Sequence, residues 1–315
     1  MNIFISGLLA YDKIMDYPER FADHILPDKI HQLNVSFVAK NLSEHFGGTA
    51  GNIAYNLALL GEKPVLIGAG GKDFGVYKTH LEKHGVDLKF VRMVADKATA
   101  FITILTDKGN NQIAVVYPGT FDYASQIKAE DVKGVDVAIV TAGNLEDMRV
   151  LPEFYREHNI KFIYDPAQEI PLLSGDDLKE GFNGAYALMS NDYELSLILE
   201  KTGLTEADIL DKVQVLVTTL GEKGSVIKTK NETLVIPAAK VEKPLDPTGA
   251  GDAYRAGFIK GLSLGWPLPL AGRFASVVAA YAVEVYGSQS QLYSLEDAQK
   301  RFQQNFGEIL SPKIN

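Results

Sequence analysis

At 315 residues, with 46% apolar and 23% charged side chains, the chain is long enough to bury a sizeable core, as one large α/β domain or two smaller ones. A net charge near −9 argues against a general nucleic-acid or anionic-membrane binder, but not against a nucleotide held by local donors. There is no cysteine, which excludes disulfides and thiol chemistry and fits a reducing compartment.

Residues 1–7 carry no basic n-region and no long apolar run, so neither a signal peptide nor a membrane span is expected, and the cytoplasm is the expected location. Ile3 to Ser6 reads as a first strand ending at Gly7. Residues 12–45 have a different texture, with Pro18, Pro27 and several aromatics, and Leu33 to Lys40 as the expected strand. Ala50 to Leu60 is helical with Gly61 as C-cap, Val65 to Gly68 is a strand, and Phe74 to His84 is a helix stopped by Gly85. His80 and His84 lack the H-E-x-x-H pattern and a third ligand, and read as the solvated end of that helix. Thr99 to Leu105 and Gln112 to Tyr117 alternate around Asp107-Lys108-Gly109-Asn110, a hairpin.

Short apolar runs then recur at Val137–Val140, Lys161–Tyr164, Ala185–Met189 and Val213–Thr218, separated by helix-length segments. That rhythm predicts a parallel sheet covered by helices on both faces. Ser225–Lys228 and Glu232–Ile236 predict a hairpin, followed by two helices near Ala250–Leu264 and Leu268–Val285. The fold class is therefore α/β: a central, mostly parallel sheet flanked by helices, with a small β-rich lid. The large domain covers about 1–11, 46–96 and 121–315, and the discontinuous lid about 12–45 and 97–120.

The most informative stretch is Asp246-Pro247-Thr248-Gly249-Ala250-Gly251-Asp252-Ala253-Tyr254. Small residues leave the N–H groups of a helix N-terminus open, where the positive end of the macrodipole suits an anion. A carboxylate, Asp252, stands at the same point. An anion cradle beside a general base is the equipment of phosphoryl transfer. No G-x-x-x-x-G-K-[ST] and no H-R-D or D-F-G set occurs, which excludes P-loop and protein-kinase architectures. Upstream, Asp12 ends the first strand region, and Phe46-Gly47-Gly48-Thr49-Ala50-Gly51-Asn52 opens a helix at the same sheet edge. An Asp and an Asn converging with glycine backbone suit a vicinal diol.

These segments resemble the ribokinase-like carbohydrate and nucleoside kinases: D-x-T-G-A-G-D-x-F at 246–254, with Tyr254 for the usual Phe, and G-G-x-x-x-N-x-A at 47–54. The pattern is closest to bacterial adenosine kinases, through Leu33–Val38, Tyr117-Pro118-Gly119 and Asp165-Pro166-Ala167-Gln168. The resemblance implies an ATP- and Mg²⁺-dependent kinase with Asp252 as base and the N–H groups of Gly249, Ala250 and Gly251 holding the transferring phosphoryl group. Asp12, Gly48 and Asn52 would bind the sugar, and Ser36, Phe37, Phe101 and Tyr117 the base. Asn191 and Glu194 would organise Mg²⁺ through water. Thr219, Gly221, Gly224, Asn191 and Thr248 would contact the nucleotide, and Asp246, Thr248 and Ser288 a monovalent cation such as K⁺. It implies adenosine as acceptor, a free sugar such as ribose or fructose as the alternative, and a non-catalytic sensor as the more distant one. Open strand edges on the lid suggest a homodimer. No nucleic-acid or membrane partner is expected.

Overall fold

The computed structural model describes residues 1–310. β1 (Ile3–Ser6) is buried along its whole length. β2 (Ala10–Asp16) and β3 (Asn41–Gly47) belong to a second sheet, and α1 (Thr49–Leu59) leads back to β4 (Val65–Gly71) beside β1. α2 (Gly75–Lys83) and β5 (Asp87–Val94) follow, then β6 (Ala100–Thr106) and β7 (Gln112–Tyr117), which return to the second sheet. Strands and helices then alternate: β8 (Val137–Thr141), α3 (Leu145–Glu157), β9 (Lys161–Asp165), α4 (Gly175–Phe182), β10 (Ala187–Asn191), α5 (Asp192–Thr202), α6 (Glu206–Leu210) and β11 (Val215–Thr219). β12 (Ser225–Lys228) and β13 (Thr233–Ile236) are antiparallel, and α7 (Ala250–Ser263), α8 (Leu268–Val283) and α9 (Leu295–Phe306) are the last elements among the described residues.

The large sheet runs β13-β12-β11-β10-β9-β8-β1-β4-β5, parallel from β11 to β5. Its inner strands, β1, β4 and β8 to β11, are buried on both sides, as a doubly covered parallel sheet requires. Ile3 and Ile5 face a core built with α1, α2, α7 and α8, whereas Phe4 faces another built with α3 to α6. The chain leaves β1 towards β4 on one side and later fills β8 on the other. That reversal opens a crevice at the C-terminal strand ends, where open α/β sheets bind ligands. The four-stranded sheet runs β3-β2-β6-β7, and β6 and β7 form the hairpin expected around Asp107.

Several expectations need correction. Residues 33–39 are not a strand: Leu33 and Val38 are 53% and 80% exposed, with no sheet face to cover them. The strand that pairs with β2 is the next segment, in the register Asp16↔Asn41. Phe37 packs instead against Tyr17 and Phe21, with ring centroids 4.9 and 5.0 Å apart. His80 and His84 are not solvated. They are half-buried among aromatic rings, His80 at 4.5 Å from Phe46 and His84 at 4.9 Å from Tyr55. A third C-terminal helix, α9, is capped by Ser294 and buries Ala298 and Phe302. Among the described residues no helix is long and apolar enough to cross a membrane.

Candidate active site

The start of α7 is set by Gly249, whose φ of 78° lies in the left-handed region. A Cβ there would meet Ser288 Cβ at 2.6 Å, so only glycine fits this turn. No side chain caps the helix. Ala250 N–H closes the turn onto Pro247 O at 3.1 Å, so it is less open to an anion than expected. The N–H groups of Gly249, Gly251 and Asp252 have no backbone partner among the described residues. Asp246 braces the approach, accepting from Thr248 N at 2.9 Å and from Gly287 N at 3.1 Å.

Asp252 sits in the first turn of α7 and accepts from Asn52 Nδ2 at 2.8 Å. Burial pushes its pKa up to about 6, opposed by Arg255 and the Asn52 hydrogen bond, with Asp165 and Glu194 pushing the same way as burial. Asn52 is itself held: its Oδ1 accepts from Gln289 Nε2 at 3.0 Å. Gln289 Nε2 also donates to Tyr77 OH, which donates to Gly47 O at 2.8 Å. This directed chain keeps the Asn52 amide N–H turned towards Asp252. One turn further along α7, buried Arg255 pairs with Asp165 at the end of β9, and Thr141 Oγ1 donates to the other Asp165 oxygen at 2.6 Å. Sequence reasoning does not single out Gln289, Tyr77, Arg255 or Asp165 as site residues. Arg255 and Asp165 lie inside or beside the motifs, whereas nothing local marks Gln289 or Tyr77.

A cavity of about 510 Å³ opens at this point, with Asp252, Thr248 and Gly249 on one wall. Asp12, Gly48 and Asn52 line it from β2 and the start of α1, and Phe101, Val116 and Tyr117 from the small sheet. Gly48 has φ 84°, and its backbone lies so near β1's continuation that a Cβ would meet Leu8 O at 2.4 Å. Burial, helped by Asp246, pushes the Asp12 carboxyl up to about 6, while His45 pulls it down. Phe101 and Tyr117 stand 5.1 Å apart, centroid to centroid. Ser36 and Phe37 do not line the cavity: Ser36 is exposed on the irregular segment and Phe37 belongs to the Tyr17–Phe21 cluster. Gln168, Glu169, Leu172 and Phe121 line it in addition.

Asn191 ends β10 and Glu194 stands in the first turn of α5. They form a reciprocal cap on α5, with Glu194 N donating to Asn191 Oδ1 at 2.7 Å and Asn191 N to Glu194 Oε2 at 2.8 Å. Thr219 ends β11 directly opposite Asn191 in the ladder, and Gly221 and Gly224 bound the short turn that follows. Tyr254 OH joins this side to α7 through Ser225 Oγ at 2.7 Å. Burial raises the Glu194 pKa and Arg255 opposes it. These residues lie outside the cavity, along the same sheet edge.

The sequence profile of the pfkB family carbohydrate kinases matches residues 7–294. The chain belongs to that family. This pfkB kinase is 31% identical over 285 residues to a nucleoside kinase of Methanothermobacter thermautotrophicus, a match covering 89% of this chain and 92% of that one. It is 28% identical to the ribokinase of Bacillus subtilis, over 77% of this chain and 83% of the other. Among solved structures, the nucleoside kinase of Burkholderia thailandensis in complex with inosine superposes with a TM-score of 0.87 at 35% identity, covering 99% of this chain and all of that one. The protein is thus a ribokinase-like phosphotransferase with an alcohol group as acceptor, and its two sheets are those of that fold.

Proposed function

We propose that this kinase transfers the γ-phosphoryl group of ATP to the 5′-hydroxyl of a nucleoside, adenosine being the expected acceptor, to give AMP and ADP. The observation that carries this reading is one cavity in which Asp252 and the open start of α7 face aromatic side chains, Phe101 and Tyr117, from the second sheet. Flat rings suit a base better than they suit a bare sugar.

In this mechanism Asp12, Asn52 and the Gly48 backbone hold the ribose hydroxyls. Asp252 takes the 5′-hydroxyl proton as the oxygen attacks the γ-phosphorus, and ADP leaves on the opposite side. The N–H groups of Gly249 and Gly251, with Ala250 between them, receive the negative charge that builds on the phosphoryl oxygens. Thr219, Gly221, Gly224 and Thr248 contact the nucleotide. Among the described residues no group of three or more His, Cys or acidic side chains could ligate a metal directly. Glu194 keeps one oxygen outside its capping hydrogen bond, which fits a magnesium ion held through waters by Asn191 and Glu194 and by the phosphates themselves. Such an ion would neutralise phosphate charge. Asp246, Thr248 and Ser288 converge near Gly287 and are the residues that would serve K⁺. Residues of about 12–45 and 97–120 act as a lid, and the open edges at β3 and β7 are where two lids would pair in a dimer.

A base that must be ionised gives a pH limb. Asp252 and Asp12 both sit near 6, so kcat/KM falls as pH drops through about 6, and the slope approaches two protons if both must ionise. A profile flat down to about pH 5 in initial-rate assays counts against the assignment. The reading itself is tested by ADP release with adenosine, inosine, guanosine, ribose and fructose side by side. Preference for a nucleoside supports it. Preference for a free sugar, the reading favoured by likeness to ribokinase, overturns the acceptor but keeps Asp252. Ligand binding without turnover favours a sensor.

A further inference from the structure

Glu169 is the one acidic side chain in the acceptor cavity that the reaction above leaves without a task. It is 6% exposed, and its carboxyl has no hydrogen bond or ion pair among the described residues. Burial alone pushes its pKa up to about 7. Its carboxyl lines the cavity, so a ligand that fills the cavity strips water from it and must supply hydrogen-bond donors in return.

The backbone that carries it is held from two directions. Ala167, two residues earlier, has φ 40°, a conformation that residues with a Cβ rarely adopt. Lys201 of α5 then gathers three carbonyls of the same turn, those of Ile170 at 2.9 Å, Pro171 at 2.9 Å and Leu173 at 2.6 Å. Glu169 and Leu172 line the cavity from the connection after β9, a different segment from those that carry Asp12, Gly48 and Asn52. A sugar gripped by that second group leaves its substituent to reach the first.

We propose that Glu169 reads the base: its carboxyl accepts hydrogen bonds from N–H groups on the base edge, so the cavity selects nucleosides that carry such donors. This rests on the nucleoside reading above. Adenosine offers its amino group and inosine its ring N–H, whereas purine riboside offers neither. A site built to hydrogen-bond a donor rejects the analogue that lacks it, because the buried carboxyl is then left unpaired.

The test is kcat/KM for adenosine, inosine, purine riboside and ribose at about pH 8, above the ordinary carboxyl range. Adenosine and inosine are expected to exceed purine riboside by at least about tenfold in the wild-type protein. In Glu169→Leu that ratio is expected to shrink to within about twofold, while Glu169→Gln, whose amide oxygen still accepts, keeps most of it. Equal use of purine riboside by the wild type overturns the proposal, and needs no variant. So does a Glu169→Leu enzyme that keeps the ratio, or one that loses all four acceptors by the same factor. Turnover of ribose with none of the nucleosides overturns the nucleoside reading as well, a result separate from the others.

Discussion

Asp252→Asn is expected to fold and to lose turnover by about 10³-fold, the usual contribution of a well-placed general base. The substitution keeps the shape, and the amide oxygen it introduces can still accept from Asn52 Nδ2, which reaches the Asp252 carboxylate at 2.8 Å. What disappears is the capacity to take a proton. KM values for both substrates should change little, because the hydroxyl-binding residues and the start of α7 are untouched. Thermal unfolding at a pH above the carboxyl's value near 6 should be no lower than in the wild type, since a buried charge has been removed. Near-normal turnover in the variant would remove Asp252 from the base role.

Arg255→Leu is expected to have the largest effect on stability, about 3–5 kcal/mol, because it leaves Asp165 as a buried charge with only Thr141 as partner. Denaturant unfolding measures this. The double variant Asp165→Leu with Arg255→Leu should recover most of the loss, since an apolar pair of similar bulk replaces a desolvated ion pair. Arg255 also pulls the Asp252 pKa down, so the acid limb of the single variant should move to higher pH. A variant as stable as the wild type, with an unmoved limb, would mean that Arg255 neither holds the β9 end nor tunes the base.

Much of the architecture is legible in the sequence because it rests on local rules. The apolar runs at 137–140, 161–164 and 213–218 are buried parallel strands, and burial on both faces leaves no ambiguity about which side is polar. The 246–254 segment stands out because a helix start without a side-chain cap, next to a carboxylate, has little structural purpose. What local pattern misses is long-range pairing. Asp12 reads as the end of the first strand, whereas β1 stops at Ser6 and Asp12 lies inside β2 of the second sheet, and the strand expected at 33–40 lies instead at 41–47, paired with β2. For the same reason Phe37 reads as a base-binding residue when its rings of contact are Tyr17 and Phe21. Gln289 cannot be read at all: its task is to orient Asn52, from the far end of the chain.

The register of the small sheet has a consequence for how the protein assembles. β2 lies parallel to β6, Ala10 against Ala100, and the chain between them holds α1, β4, α2 and β5. Parallel pairing across so long a stretch carries a large loop-closure entropy, which only prior packing of the intervening elements can lower. A chain emerging from its N-terminus thus presents β2 and β3 as an isolated strand pair joined through residues 17–40, too small to be stable by itself, until the β1–β4–β5 region has packed and delivered β6. The second sheet is then expected to form last in this half of the molecule, and with it the wall of the acceptor cavity that carries Asp12, Phe101 and Tyr117.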